Sequence, residues 1–501
     1  MGTKLKENIY RALPVIWIFI CAALVAIASP HDYIRQFPTG DSTYFMYIGK
    51  AMKEGLTMYK GAWDSKGPFL FFLNYLGMLI NETWGIIVIR IIFSLAFFAV
   101  LYKMLMYISN NKRQSCLVMF VLMLMLATFI GEGNLTEEYS LPMITLSLFY
   151  FLQYFKEGEI EWYKILISGV LCGLTFLLRA NMIITWAIFA AAIFIHLCCT
   201  REFAKLFKYI FAFLSGVVLS FLPFLIYLIA NDCLYDAWYA SILYNILYSQ
   251  TSNDTIYSML KWVYQYLSQF GYIAVLLLFL LVVLNKLLYK KGDFRERFFA
   301  VVYVIYIIAV IGSSCMSFRQ YQHYLMGLIP AMSIPGIVVV QKAENLLMSH
   351  LKYKQVAVVS MLIITLGLNF IGIDTIKNNI RQYRQIPQNN NVYQEVGEYI
   401  KANTDPTDTI YSHRMWGIMY LTADRLSATN YFALAAVNVD EFTEMSDGLF
   451  EDLESNKPAY IVTQDGRISG EETDSRLQEY ITDHYVLEKE FDLGIHLYKR
   501  V

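Results

Sequence analysis

The chain has 501 residues, of which 57% are hydrophobic and 16% are charged, and its formal net charge is -1. Soluble proteins carry about 25% charged residues, so this composition excludes an ordinary soluble domain and indicates a membrane protein. The near-neutral charge provides no basic surface for binding nucleic acid. The seven cysteines form no CxxC pair and show no zinc or disulfide spacing, so we interpret them as packing residues.

About eleven apolar segments are long enough for transmembrane helices, which need about 20 residues each. No clear cleavage site follows the first segment, so we interpret it as a retained helix and not as a signal peptide. The sequence therefore predicts a polytopic α-helical membrane protein of about 11 spans. The spans lie at roughly 10–29, 84–108, 115–131, 138–155, 163–179, 181–199, 208–230, 270–289, 298–313, 324–341 and 355–373.

Basic residues predict the orientation of these spans, since cytoplasmic connections are enriched in Lys and Arg. If the N-terminus is cytoplasmic, every connection on the inner side is basic, as Lys112 and Arg113 illustrate. An odd number of spans then places the C-terminus on the extracytoplasmic face. We expect function in the outer connections, because loops on a rigid scaffold often carry binding and catalytic residues.

The first outer connection, 30–83, is the most informative. The stretch "PTGDSTYF" introduces Asp41, after which apolar residues recur at helical spacing as far as Leu56. This pattern predicts a short helix lying in the outer membrane interface, with Asp41 at its N-cap. A cap is held at a fixed place, so capping and a chemical role for Asp41 are compatible.

The end of the same connection, "WDSKGP", places Asp64 and Lys66 before a Gly-Pro turn and an apolar helix. One interpretation is a polar turn without further function. The other is a lysine positioned for a phosphate near the lipid headgroups.

Ionisable residues also stand at the mouths of later spans. Glu137 and Glu138 open the fourth span, where acids are favoured by the helix dipole, although ionisable groups at membrane depth are often functional. Arg179 closes the fifth span, and one interpretation is that it only snorkels towards water.

The tenth span opens with a cluster of polar and aromatic residues. A lone histidine is more often structural than a ligand, but here it stands with an arginine and two tyrosines, and the tyrosines also suit an aromatic belt. The residues are Arg319, Tyr321, His323 and Tyr324.

All of these residues fall on the outer side, so we expect them to share one cavity. Acids that accept a proton and cations that hold a phosphate suit a displacement in which a hydroxyl attacks and a lipid phosphate leaves. In this hypothesis Lys66, Arg179 and Arg319 are candidates to stabilise the departing phosphate. Asp64, Glu138, Tyr321, His323 and Tyr324 are candidate substrate-binding residues.

The composition becomes polar towards the C-terminus. Alternating stretches such as "DTIYSH", "AYIVTQ" and "GIHLYKR" predict strands, and "NVYQEVGEYIKANT" and "VDEFTEMSDGLFEDLES" predict helices. We therefore predict a transmembrane domain over 1–374 and a small extracytoplasmic α/β domain over 375–501. The C-terminal region carries no nucleotide-binding fingerprint and no metal cluster.

Four stretches of the sequence resemble bacterial GT-C glycosyltransferases. They are "GDSTYFMYIGKAMKEGLTMYKGAWDSKGP", "NLTEEYSLP", "RQYQHYLMGLIP" and a C-terminal stretch beginning "YIKANTDPTDTIYSH". The resemblance covers nearly the whole chain and is closest to the protein O-mannosyltransferase-like group, which includes the aminoarabinose transferase of lipid A. It implies inverting transfer of a sugar from a polyprenyl-phosphate donor, outside the bacterial plasma membrane, to an envelope glycan, lipid or protein.

The resemblance also implies roles for individual residues. Asp41 matches the first-loop aspartate of the family and would be the general base. Glu137 or Glu138 would be the second acid, and we favour Glu137, which would orient Asp41 or the sugar. Lys66 resembles the lysine of a Lys-Pro-Pro element and would bind phosphate or acceptor.

Two positions depart from the pattern of the family. Gly67 replaces the first proline of the Lys-Pro-Pro element, and Ser65 stands where some relatives place an acid or a histidine that can hold a metal. We therefore assign no metal ligand and no cofactor, and a divalent metal stays an open alternative.

Two other classes of function are compatible with the sequence. A lipid or glycolipid transporter would also need many spans, but it should carry polar residues along a path through the inner half of the membrane, and few are found. A scaffold or regulator that binds a partner through the C-terminal domain is the other alternative.

Overall fold

The apolar runs form helices, because a helix pairs its own backbone N–H and C=O groups where no water is available to do so. In the computed structural model, the described residues are 2–28, 37, 40–250, 252–350, 370–385, 391–432, 434, 442–467 and 472–501. Helices α1 to α8 are Gly2–Ala28, Asp41–Lys53, Pro68–Ile80, Gly85–Ser109, Lys112–Phe129, Thr136–Glu157, Trp162–Phe176 and Ile184–Cys199. Helices α9 to α15 are Phe203–Ala230, Leu234–Trp238, Tyr244–Gln250, Ile256–Gln269, Tyr272–Leu288, Phe294–Cys315 and Leu328–His350.

The described part of the chain is that of a multi-pass membrane protein. Six helices are each long and apolar enough to cross a membrane, and a seventh candidate is the pair α12 and α13, which meet at 94°. Ten of the eleven predicted spans coincide with helices, counting the short 3-10 segments Ala180–Ile183 and Gln322–Gly327 that lead into α8 and α15. The eleventh, 355–373, lies almost entirely outside the described residues, so the total of eleven spans stays a prediction.

Two compact units make up the chain. One comprises Met1–Ser29, Arg90–Phe224 and Asn245–Ile380, and the other comprises Pro30–Ile89, Leu225–Tyr244 and Arg381–Val501. The first outer connection therefore belongs to the same unit as the C-terminal region. The predicted domain boundary near residue 374 stays a prediction.

Small residues allow close helix packing in the first unit. A Cβ atom added at Gly169 of α7 would lie 2.1 Å from the carbonyl oxygen of Phe213 of α9, and Gly216 of α9 faces α7 in the same way. Without a hydrophobic driving force between helices in lipid, such close backbone approach is a main source of attraction.

The C-terminal region combines helices with short strands. Its elements are α16 (Phe370–Gln385), α17 (Asn391–Ala402), β1 (Thr409–Ser412), α18 (Ile418–Ala423), β2 (Leu426–Ser427), α19 (Thr443–Asn456), β3 (Tyr460–Gln464), α20 (Glu472–His484), β4 (Tyr485–Phe491) and β5 (Ile495–Arg500). The strands form a mixed five-stranded sheet in the order β2-β1-β3-β5-β4, in which β1 pairs in parallel with β2 and β3. Strand β5 is antiparallel to both β3 and β4. The predicted strands are confirmed as β1, β3 and β5, and the predicted helices as α17 and α19.

Helix α2 is buried by protein, so the prediction of a helix lying in the membrane interface is wrong. Its residues 42–51 are all buried, whereas an interfacial helix exposes one face. On one side Gly49 lies against the backbone of α3, where an added Cβ would be 2.7 Å from the carbonyl carbon of Asn74. On the C-terminal side, Gly417 lies against the carbonyl oxygen of Thr43, which a Cβ would approach to 2.2 Å.

The prediction that Asp41 is the N-cap of this helix is also wrong. Gly40 holds the cap position with a φ of 80°, a backbone conformation that favours glycine, and Asp41 is the first helical residue. The backbone N–H and the hydroxyl of Thr43 both donate to the carbonyl oxygen of Gly40, at 3.0 and 2.7 Å. Asp41 still gains from the helix dipole, because it lies in the first turn.

An ion pair between the buried Lys50 and the half-buried Asp424 joins α2 to the C-terminal region. The ammonium of Lys50, only 4% exposed, donates to the carboxylate of Asp424, which also accepts from Lys401 at 2.9 Å. Burial alone would raise the pKa of Asp424, but the bonds from Lys50 and Lys401 prevail and lower it from 3.8 to about 2. The carboxylate is therefore more stable in the folded protein than in the unfolded chain.

We expect Asp424→Asn to lower the melting temperature at neutral pH, because it leaves the Lys50 charge without its partner. Since folding depresses the pKa of Asp424, the stabilisation is complete above pH 3.8 and is lost as the pH falls towards 2. Melting curves between pH 7 and pH 2 should show the wild type and the variant converging at the acidic end. Asp492→Asn, which alters an exposed carboxylate of the same unit, is the control, and a difference that stays constant over this range would contradict the assignment.

Candidate active site

The predicted first-loop residues lie together in the second compact unit. Asp64 is buried, and its Oδ1 accepts from the backbone N–H of Lys66 at 3.0 Å. The ammonium of Lys66 lies 3.9 Å from the same oxygen and 5.8 Å from the ring centre of Phe45 on α2. The turn is closed by Tyr59, whose hydroxyl donates to the carbonyl oxygen of Lys66 at 2.9 Å. The "SKGP" segment is thus the predicted polar turn, and it holds a lysine beside α2.

Electrostatics couples Asp64 to Asp41. Burial raises the pKa of Asp64, the charge and backbone N–H of Lys66 lower it, and the negative charge of Asp41 raises it again, so that the net direction is upwards. Burial is the main cause of this direction, because desolvation disfavours the charged form of a carboxyl group.

A second group of predicted residues meets in the first compact unit. The guanidinium of Arg179 donates to the carboxylate of Glu137, whose residue is 2% exposed, and it stacks on the ring of Tyr324 with its carbon 3.9 Å from the ring centre. Arg179 therefore does not snorkel towards water, because it is held by an acid and an aromatic ring. We call Glu137, Arg179, His323 and Tyr324 the arginine cluster.

The aromatic residues at the start of α15 belong to the same assembly. The ring of His323 is 4.6 Å from that of Tyr324 in an edge arrangement and 5.6 Å from that of Tyr321 in a stacked one. The guanidinium carbon of Arg319 lies 4.6 Å from the ring centre of Tyr248. Tyr321 thus lies against His323 and Tyr324 of the arginine cluster.

Glu138 has a different environment from its neighbour Glu137. Its two carboxylate oxygens accept from Nε of Arg90 at 3.0 and 3.1 Å, and one also accepts from the backbone N–H of Asn134 at 2.8 Å. Both side chains of the Arg90–Glu138 pair are 3% exposed. This pair ties α6 to α4, which is a structural task.

A narrow cleft of about 380 Å³, counted with its open mouth, adjoins the arginine cluster. Its polar lining includes residues that sequence reasoning missed, namely Asn181, Thr185, Ser313 and Ser314. The side-chain oxygen of Asn181 is buried and accepts no hydrogen bond from the described residues. Asn181 lies two residues after Arg179 in the short predicted outer connection "RAN", and that position was the signal that could have revealed it.

Residues from the two compact units were predicted to share one cavity, and that remains a prediction.

Among the residues that the structure describes, no group of three or more His, Cys, Asp or Glu side chains could hold a metal ion.

Comparison with known families identifies the N-terminal three quarters of the chain. The model of the putative competence-induced protein Ccs4 N-terminal domain matches residues 3–370. The chain belongs to this family. No curated protein matches the sequence at a significant level.

Solved structures share the fold. The crystal structure of ArnT from Cupriavidus metallidurans bound to undecaprenyl phosphate has a TM-score of 0.64 and 12% identity, over 97% of this chain and 98% of that chain. The apo structure of the same protein has a TM-score of 0.63 and 13% identity, over 98% of both chains. The predicted resemblance to the ArnT-like group of GT-C proteins is therefore confirmed for the fold, although sequence identity is low.

We expect Glu138→Ala to cost about 3–5 kcal/mol of stability, because it removes the carboxylate that pairs with the buried guanidinium of Arg90. The double variant Arg90→Met/Glu138→Leu should recover much of this loss, since it removes both charges together. Unfolding in mixed micelles measures both. Glu82→Gln, which breaks the exposed pair with Lys53, should change stability by about 1 kcal/mol or less, and an equally small effect at Glu138 would contradict a structural role.

Proposed function

We propose that the protein is an inverting glycosyltransferase that moves a sugar from a polyprenyl-phosphate donor to an acceptor outside the membrane. The observation that carries the proposal is the match of nearly the whole chain to ArnT, one of whose solved structures is bound to undecaprenyl phosphate. The first-loop aspartate and lysine support it, because Asp41 begins helix α2 and Lys66 lies beside that helix in the same compact unit.

In the proposed reaction Asp41 is the general base. It takes the proton of the acceptor hydroxyl while the hydroxyl oxygen forms a bond to the anomeric carbon of the sugar. The bond between that carbon and the phosphate oxygen breaks at the same time, and polyprenyl phosphate leaves with the electron pair. A single displacement of this kind inverts the configuration at the anomeric carbon.

Negative charge grows on the departing phosphate, so cations aimed at it stabilise the transition state more than the ground state. Lys66 is the first candidate, because its ammonium is partly exposed and its nearest acid, Asp64, has a raised pKa. Arg179 and Arg319 keep the roles predicted from the sequence. Glu137 balances the charge of Arg179, so this pair suits a site that contacts the sugar of the donor as well as one that contacts its phosphate.

The orientation of the chain in the membrane is part of the proposal. The basic inner connections favour a cytoplasmic N-terminus in a bacterial plasma membrane, which puts the first outer loop and the C-terminal sheet on the extracytoplasmic side. The acceptor is then a component of the cell envelope.

We expect Asp41→Asn to lower sugar transfer by about 10²–10⁴-fold while the protein still folds, because the amide cannot accept the proton. The assay follows a labelled polyprenyl-phosphate sugar in membranes that contain the wild type or the variant. Glu54→Gln, at the opposite end of α2, is the matched control and should keep full activity. A folded Asp41→Asn variant with full activity would exclude Asp41 as the base, and unmodified lipid crossing proteoliposomes would favour a transporter instead.

We expect undecaprenyl phosphate to raise the melting temperature of the wild type, and Lys66→Met to weaken its binding by about tenfold or more, since a hydrogen bond to a charged group is lost. Thermal titration of the purified chain in detergent measures the affinity. Lys60→Met removes an exposed lysine of the same loop that pairs with Asp232, and it should bind as the wild type does. Equal affinities for the Lys66 and Lys60 variants would remove Lys66 from the phosphate site.

A further inference from the structure

One buried tyrosine of helix α2 has no hydrogen-bond partner in the part of the chain that the structure describes. Tyr44 is 4% exposed, and its hydroxyl makes no hydrogen bond with any described residue. Burying a hydroxyl without a partner costs stability, so such a group calls for an explanation.

Other buried tyrosines of the same compact unit are satisfied. The hydroxyl of Tyr47 accepts from the backbone N–H of Ser427 at 2.7 Å, and that of Tyr59 donates to the carbonyl oxygen of Lys66. The hydroxyl of Tyr420 accepts from the backbone N–H of Ser412 at 3.0 Å. Tyr44 thus departs from the pattern of the tyrosines around it.

The surroundings of Tyr44 are those of the candidate base. It follows Asp41 by three residues, and residues three apart on a helix are neighbours on its surface. Burial raises the pKa of Tyr44 well above its ordinary value, and the negative charges of Asp41 and Asp64 raise it further against the positive charge of Arg467. The phenol therefore stays protonated at neutral pH and remains a hydrogen-bond donor.

Arg467 comes from the turn after β3 and is held in place. Its Nε donates to the side chain of Gln464 and its Nη1 to the carbonyl oxygen of Arg414, both at 3.1 Å, and it stacks 4.1 Å from the ring centre of Trp416. A fixed cation offsets part of the acidic charge of the two aspartates. The C-terminal region thus contributes to the electrostatics around Tyr44.

We propose that Tyr44 binds the acceptor, by donating a hydrogen bond to an oxygen atom of the hydroxyl-bearing molecule that Asp41 deprotonates. The inference rests on the proposed function and names one residue more for it. A ligand that reaches Asp41, which is half-buried, arrives one helical turn from Tyr44. The Tyr44 hydroxyl then has no partner among the described residues because its hydrogen bond forms only when the substrate is bound.

The test compares Tyr44→Phe with Tyr47→Phe, the same change on the same helix. Tyr44→Phe breaks no bond within the described protein, so the melting temperature should stay equal or rise. Tyr47→Phe leaves the N–H of Ser427 unpaired, so the melting temperature should fall. Sugar transfer is then assayed at a temperature below the melting temperature of both variants, with the labelled polyprenyl-phosphate sugar that the wild type consumes. The rate should drop about tenfold in Tyr44→Phe and stay within about twofold of the wild-type rate in Tyr47→Phe.

Two results would overturn the inference while the proposed function stands. One is wild-type transfer by Tyr44→Phe, and the other is a loss of stability in Tyr44→Phe as large as in Tyr47→Phe, which would reveal a partner inside the protein. A wild-type chain that transfers no sugar would instead overturn the proposed function and the acceptor role of Tyr44 with it.

Discussion

Close packing on two sides of helix α2 is the constraint on which the candidate chemistry of the second unit depends. Gly49 lets α3 approach one side, and Gly417 lets the C-terminal region approach the other, since a Cβ at either place would collide with backbone atoms. A helix held between two backbones cannot rotate, so the directions of Asp41 and Tyr44 depend on the packing at Gly49 of the same helix and at the distant Gly417. The position of Asp41, the proposed base, therefore depends on the C-terminal region that packs against α2.

Buried charges follow the same logic of fixed positions. Glu137 pairs with Arg179, Glu138 with Arg90 and Lys50 with Asp424, and each pair joins elements that are separate in sequence. Desolvation makes such pairs weak sources of stability, yet breaking one is costly, because it strands a charge in a medium of low dielectric constant. We interpret these ion pairs as contacts that fix the relative positions of the elements they join.

The sequence predicts what depends on local periodicity and composition. Apolar runs and alternating stretches identified the described spans and three of the five strands, because each signal is complete within about 20 residues. The burial of α2 could not be predicted, since its covering partners lie at Gly417 and Asp424. The pairing of Arg179 with Glu137, and the absence of a partner for the Tyr44 hydroxyl among the described residues, likewise depend on tertiary structure. The assignment of Asp41 as base came from family resemblance, and the pattern of residues only allowed it.

The adjacent residues Glu137 and Glu138 have different partners, and this difference bears on which of them takes part in the proposed reaction. Successive residues on an α-helix point about 100° apart, so Glu137 and Glu138 cannot face the same neighbour. Glu138 accepts hydrogen bonds from Arg90 and from the backbone N–H of Asn134, whereas Glu137 pairs with Arg179 in the wall of the cleft. This difference in partners favours Glu137 as the second acid of the proposed reaction, with Glu138 as the residue that holds α6 in place.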